Sequence, residues 1–208
     1  MAQPEGWPER IGRTAQPRAG RIDLAGWAGR TELAGRHDGW MQSIELTFGE
    51  SLDSAIRADW ARLAAAGIPS LAGHTSPSNS PHITLAAGAE MNLPDTPQDP
   101  WQRLPLDISF SGVHIFPART GMYVLARSVV VTRQLLELHR VLHEGISGAL
   151  PLTRPDAWTP HVTLARRVPA HQLGSAMDLL DLRLAGRCTE ARLWDSNTRT
   201  LTPLWNPA

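Results

Sequence analysis

Two short segments of the chain contain the same types of residue in the same order. Residues 81–85 read Pro-His-Ile-Thr-Leu, and residues 160–164 read Pro-His-Val-Thr-Leu. Both segments are apolar enough to form β-strands, in which side chains two positions apart point to the same face. We therefore expect the histidine and threonine of each copy to share one face, while the aliphatic residues anchor the strand in a core.

Two histidines and two threonines that converge on one cleft are suited to phosphodiester chemistry. In-line displacement at phosphorus needs a base for the nucleophile and an acid for the leaving oxygen, and histidine can serve as either near neutral pH. Threonine hydroxyls can donate to the non-bridging phosphate oxygens. A single such motif more often marks a hydrogen-bonded structural histidine, but its repetition favours function. We predict His82 and His161 as catalytic residues, with Thr84 and Thr163 binding substrate.

The two motifs close two copies of a strand–helix–loop–strand unit, at about 41–88 and 122–168. In the first copy, Ile44, Leu46 and Phe48 alternate with polar residues, which indicates a half-buried strand. An internal repeat of this kind predicts an α+β fold with a pseudo-twofold axis between the copies. Further elements are expected as strands near 106–116, 187–194 and 199–204, and as a helix after Pro169.

Residues 1–40 show no sustained strand or helix period and are rich in Gly, Arg, Ala and Pro. We interpret them as a flexible or loosely packed N-terminal extension, with the main domain over 41–208. No apolar stretch approaches the roughly 20 residues that span a bilayer, and the N-terminus lacks an apolar signal core. A cytoplasmic protein, with no membrane association and no evident obligate protein partner, is the expectation.

The charged and sulfur-containing residues exclude several kinds of chemistry. The formal net charge is zero, so any nucleic-acid binding must come from a local site. A single cysteine, Cys188, excludes an intrachain disulfide and any multi-cysteine metal site. All 20 basic residues are arginine. A lysine Schiff base or P-loop is therefore impossible, and arginine alone must supply positive charge to a phosphate.

The second motif and its flanks, Trp-Thr-Pro-His-Val-Thr-Leu-Ala-Arg at 158–166, give the chain a family resemblance. Over about 41–205 it resembles the 2H phosphoesterase superfamily, specifically the bacterial 2′-5′ RNA ligase-like branch with paired His-x-Thr motifs. The resemblance implies a bilobal pseudo-twofold α+β fold, with two antiparallel sheets flanking a central cleft and helices outside. It also implies no metal ion and no cofactor.

The implied activity is the opening of 2′,3′-cyclic phosphates to 2′-phosphates, with 2′-5′ RNA ligation as a weak reversal. RNA 3′ ends, oligonucleotides or cyclic nucleotides are the implied substrates. Carried over from the family, His82 protonates the leaving 3′ oxygen, His161 activates water, and Thr84 and Thr163 contact the phosphate. Arg166 matches an arginine that touches phosphate in relatives. Strand alternation without a bulge, however, directs Arg166 to the opposite face from His161.

The residues that could recognise the base differ from those of relatives. Relatives often have an aromatic residue shortly after the first motif, where this chain has Ala-Ala-Gly at 86–88. Tyr123, Phe116 or Trp158 can substitute, although burial in the core is the commoner fate of such residues. Of these we take Tyr123 as a substrate-binding candidate.

Two other functions remain open at this point. One is a non-catalytic module that holds a nucleotide or RNA end in the same cleft, although such a module has no need of both histidines. The other is a metal hydrolase built on His139 and His143, which are four residues apart on an expected helix and are followed by Glu144. A third ligand is not evident, and a solvated helix face is the favoured interpretation. His114 belongs either to the core or to the border of the cleft.

Overall fold

The computed structural model describes residues 41–76, 78–93, 99–181 and 183–206, so the expected extension at 1–40 lies outside the described residues. Within the described part, none of the helices has the length and apolar character needed to cross a membrane. Seven strands and three α-helices are present there, and we number them in chain order: β1 Gln42–Phe48, α1 Glu50–Ala65, β2 His82–Gly88, β3 Leu106–Arg119, β4 Met122–Val129, α2 Arg133–Gly145, β5 His161–Pro169, α3 Leu173–Asp178, β6 Ala185–Asp195 and β7 Thr200–Trp205.

The strands pair antiparallel in the order β2-β1-β6-β3-β4-β5, and β7 adds to β6. Strand β3 is long enough to belong to two groups of strands. Its first part, 106–109, pairs with β6, and its second part, 110–119, pairs with β4. The predicted α+β class with antiparallel pairing is confirmed, and β3 is the strand that joins the two lobes.

The predicted internal repeat is present as β1-α1-β2 in one lobe and β4-α2-β5 in the other. In each copy the two strands are antiparallel neighbours. The motif strands β2 and β5 lie at the two ends of the strand order, yet they approach one another in space. Ile83, Leu85, Val162 and Leu164 are fully buried, as the alternation of each motif predicts.

Each lobe supplies an indole hydrogen-bond donor to the motif strand of the other lobe. Trp60 of α1 donates from Nε1 to the carbonyl oxygen of Thr163, at 3.1 Å. Trp158, just before β5, donates from Nε1 to the carbonyl oxygen of Thr84, at 2.9 Å. These bonds satisfy backbone acceptors at the centre of both motifs and hold the two motif strands in fixed relation.

The two helix histidines are interior residues, so the expected solvated helix face is wrong for them. The Nε2 atoms of His139 and His143 lie 3.0 and 3.1 Å from the carbonyl oxygen of Leu85. His139 Nε2 also lies 2.9 Å from the carbonyl oxygen of Thr153, and its ring stacks on Trp158 at 3.8 Å. Burial lowers the pKa of His139 to about 4, so the ring is neutral at pH 7.

A buried ion pair also links the two lobes. Asp59 of α1 and Arg127 of β4 are both fully buried, with Nε of the arginine 2.7 Å from Oδ2 of the carboxylate. Arg62, one helical turn after Asp59, donates to the other carboxylate oxygen. Breaking such a pair leaves a buried charge uncompensated, so we assign it a structural role.

Substitution of Trp60 by phenylalanine tests the contribution of the indole bond between lobes. We expect a loss of about 1–3 kcal/mol in the free energy of unfolding, because the buried carbonyl of Thr163 loses its donor while the ring volume is largely kept. Urea unfolding followed by circular dichroism measures the change. Trp101→Phe, in a short 3₁₀ helix outside both motifs, is the matched control. Equal stability of the Trp60 variant and the native protein would contradict the assigned role.

Candidate active site

The two motif histidines are oriented by the same backbone contact. His82 Nδ1 lies 2.7 Å from the carbonyl oxygen of Ser80, and His161 Nδ1 lies 2.8 Å from the carbonyl oxygen of Thr159. A carbonyl only accepts hydrogen bonds, so Nδ1 must carry a proton in both rings. In the neutral ring Nε2 then has the lone pair, and in the charged ring Nε2 has the second proton.

The motif threonines lie beside these histidines on the same strand faces. Thr84 and Thr163 are half-buried, like His82 and His161, and the residue between each pair is buried on the opposite face. We call these four residues the histidine site. In the register of the sheets, Thr84 lies opposite Glu45 of β1.

Both motif strands contain an irregularity directly after the threonine. In β2, Thr84 pairs with Glu45 while Ala86 pairs with the adjacent Ile44, so Leu85 has no partner in β1. Such a bulge shifts the alternation of side chains by one residue. Strand β5 shows an equivalent shift, so the residue after the motif threonine is irregular in both lobes.

In β5 the bulge brings Arg166 toward the histidine site. Thr163 pairs with Ala126 and Ala165 with the adjacent Leu125, which leaves Leu164 without a partner in β4. Arg167 adopts a φ of 61°, a left-handed conformation that few non-glycine residues adopt. A regular strand would direct Arg166 to the face opposite His161, and the bulge removes that obstacle. The charge of Arg166 acts on His161.

His161 is surrounded by groups that disfavour its protonated form. Desolvation lowers the pKa of His161 to about 4, and positive charge on His114, His82 and Arg166 adds to the effect. The ring is therefore neutral at pH 7. The three residues whose charges act on His161 come from three different strands, β2, β3 and β5.

His82 has a carboxylate beside it. Oε1 of Glu45 lies 3.6 Å from His82 Nε2, and the glutamate side chain is only 5% exposed. Oε2 of Glu45 accepts a 2.9 Å hydrogen bond from Nε of Arg192. The sequence analysis missed this pair. Glu45 occupies a polar position in the alternation of β1, but the face expected to be solvated is buried beside the motif.

An aromatic side chain does lie at the histidine site. The ring of Phe116 is 5.0 Å from the ring of His161, and His114 stacks on Phe116 at 5.4 Å. His114 shares a row of the sheet with Thr163, because both pair with Ala126. Desolvation lowers the pKa of His114. Of the sequence candidates for base stacking, Phe116 is the one that contacts a motif histidine.

Tyr123 lies elsewhere on the same strand group. It pairs with Pro117 and Val168, five residues along β4 from Ser128, which pairs with His161. Five residues of strand correspond to about 16 Å. Phe116 pairs with Val124, the neighbour of Tyr123, so alternation directs the tyrosine to the opposite face. Its role in substrate binding stays a prediction.

The described residues provide no group of three or more His, Cys, Asp or Glu side chains arranged to hold a metal ion. His139 and His143, the pair considered above as metal ligands, direct Nε2 to the same backbone carbonyl.

The chain is similar to a known protein family and to several solved structures. Residues 52–200 match the family model described as the 2′-5′ RNA ligase superfamily. E. coli LigT complexed with 3′-AMP is 16% identical, with 81% of this chain and 96% of that chain covered and a TM-score of 0.40. Kluyveromyces marxianus Usb1 with uridine monophosphate is 10% identical, with 80% and 97% covered and a TM-score of 0.42. A structure named only as a phosphoesterase is 18% identical, with 81% and 97% covered and a TM-score of 0.41. No curated protein matches the sequence significantly.

Proposed function

The chain belongs to the 2′-5′ RNA ligase superfamily, and on that basis we propose that it is a metal-independent phosphodiesterase that opens 2′,3′-cyclic phosphates to 2′-phosphates. RNA 3′ ends, short oligonucleotides and cyclic nucleotides are the proposed substrates, in the cytoplasm, with 2′-5′ ligation as the weak reverse reaction. One observation supports this proposal above all others. Both motif histidines are held through Nδ1 by a backbone carbonyl, which leaves Nε2 of each ring for proton transfer.

His161 is proposed as the general base. A base must be neutral to accept a proton, and the lowered pKa of His161 keeps it neutral at physiological pH. Its Nδ1 proton is held by the carbonyl of Thr159, so Nε2 is the nitrogen with the lone pair. In the proposed step the oxygen of water forms a bond to phosphorus while its proton passes to Nε2 of His161.

His82 is proposed as the general acid. Nδ1 of His82 is held by the carbonyl of Ser80, and Nε2 lies 3.6 Å from Oε1 of Glu45. As the bond between phosphorus and the 3′ oxygen breaks, that oxygen takes the proton from Nε2 of His82. The product is a 2′-phosphate with a free 3′ hydroxyl. Proton exchange with solvent then removes the added proton from His161 and returns one to His82.

The remaining site residues are proposed to hold the phosphate and the base. The hydroxyls of Thr84 and Thr163 donate to the non-bridging oxygens, and the guanidinium of Arg166 neutralises part of the phosphate charge. Phe116 is proposed to stack on the nucleobase, with Tyr123 as the other candidate. Aromatic rings accept any base in this way, which suits an enzyme with broad base tolerance.

Incubation of the protein with 2′,3′-cyclic mononucleotides and 2′,5′-linked dinucleotides, in the presence of EDTA, tests the proposed function. We expect 2′-phosphates from the cyclic substrates at a rate that EDTA does not change. Tight binding of the nucleotides without turnover would favour the non-catalytic module. Activity that disappears with EDTA, returns with a divalent ion and is lost in His139→Ala would favour the metal hydrolase.

The pH dependence of kcat/KM tests the state of the base. Because the pKa of His161 is lowered to about 4, the residue stays neutral as pH falls from 7 to 5 and becomes protonated only below that range. We therefore expect the acidic limb of the profile near pH 4, where kcat/KM reports the free enzyme. Circular dichroism at each pH separates this limb from acid unfolding. An acidic limb at about 6.5, the ordinary value for histidine, would contradict the described environment.

A further inference from the structure

Two successive carbonyl groups of β2 face the second lobe. The carbonyl oxygen of Thr84 accepts a hydrogen bond from Nε1 of Trp158. The carbonyl oxygen of the next residue, Leu85, lies 3.0 Å from Nε2 of His139 and 3.1 Å from Nε2 of His143. Successive carbonyls of a regular strand point to opposite edges. The bulge at Leu85 therefore explains why both carbonyls face the same lobe.

Both helix histidines donate to the bulge residue. A carbonyl oxygen only accepts hydrogen bonds, so Nε2 of His139 and Nε2 of His143 each carry a proton. The two rings are four residues apart on α2, with their centres 4.4 Å from one another. Burial lowers the pKa of both, so both are neutral at pH 7. Leu85, which has no partner in β1, is thus held by two donors from the other lobe.

The second lobe also holds β2 on either side of the bulge. Before the bulge, Trp158 donates to Thr84, and the indole is stacked on the ring of His139 with an angle of 6° between the planes. After the bulge, the backbone nitrogen of Leu150 donates to the carbonyl oxygen of Ala87, at 2.7 Å. The two helix histidines therefore act at the point where the register of β2 changes.

The bulge decides which side chains of β2 face the histidine site. Regular alternation would place Ala86 on the same face as His82 and Thr84. Ala86 is instead fully buried in the core, while His82 and Thr84 are half-buried at the site. Without the bulge, one of these two segments would turn to the wrong face. The donors that hold the carbonyl of Leu85 therefore fix the direction of the first motif.

We infer that His139 and His143 are positioning residues of the first motif, whose imidazole N–H groups hold the bulge of β2 and so orient His82 and Thr84 toward the substrate. This inference rests on the proposed function. The two residues act through the backbone of β2 and do not touch the reacting atoms. Displacement of a catalytic group by about 1 Å can lower a rate by up to about 10²-fold. Loss of the two donors should therefore lower turnover without removing any catalytic group.

A pair of substrates separates this role from a purely structural one. The oxygen substrate is uridine 2′,3′-cyclic phosphate, whose 3′ oxygen needs the proton of His82 to leave. The 3′-thio substrate has sulfur in place of that oxygen, and a thiolate leaves with far less need of an acid because a thiol has a pKa of about 8.5. The ratio of the two kcat values is independent of the fraction of protein that is folded, since both are measured on one preparation.

The double variant His139→Phe/His143→Phe removes both donors and keeps two rings, one of them placed to stack on Trp158. We expect kcat for the oxygen substrate to fall about 10-fold, and kcat for the 3′-thio substrate to fall less than about 3-fold. The double variant His139→Gln/His143→Gln has an amide N–H donor at each position, so its ratio should stay close to the native value. Trp60→Phe is the matched control, because it removes a donor from the motif strand of the other lobe and should leave the ratio unchanged.

Three results would overturn the inference. One is a native ratio in His139→Phe/His143→Phe, and another is an equally altered ratio in His139→Gln/His143→Gln, which would assign the effect to ring packing. The third is an equal change of the ratio in Trp60→Phe. If the first double variant does not fold, His143→Phe replaces it, with a change of about 3-fold expected and a native ratio again contradicting the inference. Failure of the proposed function looks different, because the native protein would then cleave neither substrate, or His82→Ala would cleave both at the native rate.

Discussion

Replacement of His161 by alanine is expected to lower turnover of uridine 2′,3′-cyclic phosphate, the oxygen substrate, by at least about 10²-fold. The variant lacks the base that removes a proton from the attacking water. The 3′-thio substrate has sulfur in place of the 3′ oxygen, so that a thiolate leaves. Both substrates need the proton transfer from water, so the 3′-thio substrate should slow to a similar degree. The measurement is kcat for both substrates at neutral pH, with circular dichroism to verify the fold.

His171→Ala is the matched control for this variant. His171 is exposed and lies just beyond the end of β5, so the same type of side chain is removed close to the same strand. We expect native turnover from the control. Full activity in His161→Ala would exclude His161 as the base, and a loss confined to the oxygen substrate would reassign it as the acid.

Replacement of His82 by alanine is expected to lower turnover of the oxygen substrate by a similar factor, of at least about 10²-fold. The 3′-thio substrate should keep most of its native rate, because its leaving group departs without a proton. The substitution removes the Nε2 atom that donates the proton, which lies 3.6 Å from Oε1 of Glu45. Single-turnover measurements on both substrates separate the chemical step from product release.

The two histidine variants together give a crossed pattern that neither gives alone. His161→Ala should slow both substrates, and His82→Ala should slow only the oxygen substrate. Equal losses on both substrates in His82→Ala would contradict the assignment of His82 as the acid. The opposite pattern would mean that the roles of the two motifs are reversed in this protein.

The repeated elements of the fold could be predicted from the sequence because local periodicity encodes them. Alternation in the motifs placed Ile83 and Val162 in the core and both histidine–threonine pairs on the other faces, as observed. The order of strands and helices likewise predicted the α+β repeat. These features depend on neighbours only a few residues apart, so a single sequence is sufficient to recognise them.

The bulges could not be predicted, because an unpaired residue is defined only by the strand beside it. Leu85 and Leu164 look like ordinary strand residues, and their irregularity depends on the register with β1 and β4. The bulge at Leu164 matters for Arg166, because the change in side-chain alternation decides whether that side chain faces His161. The surroundings of His139 and His143 were misjudged for a related reason, because the carbonyl that they contact lies on the other lobe.

The sequence determines which residues form the two motifs, whereas packing across the sheets determines how the surroundings of the two histidines differ. The residues near the two motifs along the chain do not distinguish an acid from a base, and only the family resemblance assigned His82 as the acid and His161 as the base. Glu45 and Arg192, which form the ion pair beside His82, are 147 residues apart and meet only because β1 and β6 are neighbours. Charge beside a buried ring depends on distance in space, and strand pairing sets that distance where sequence separation does not.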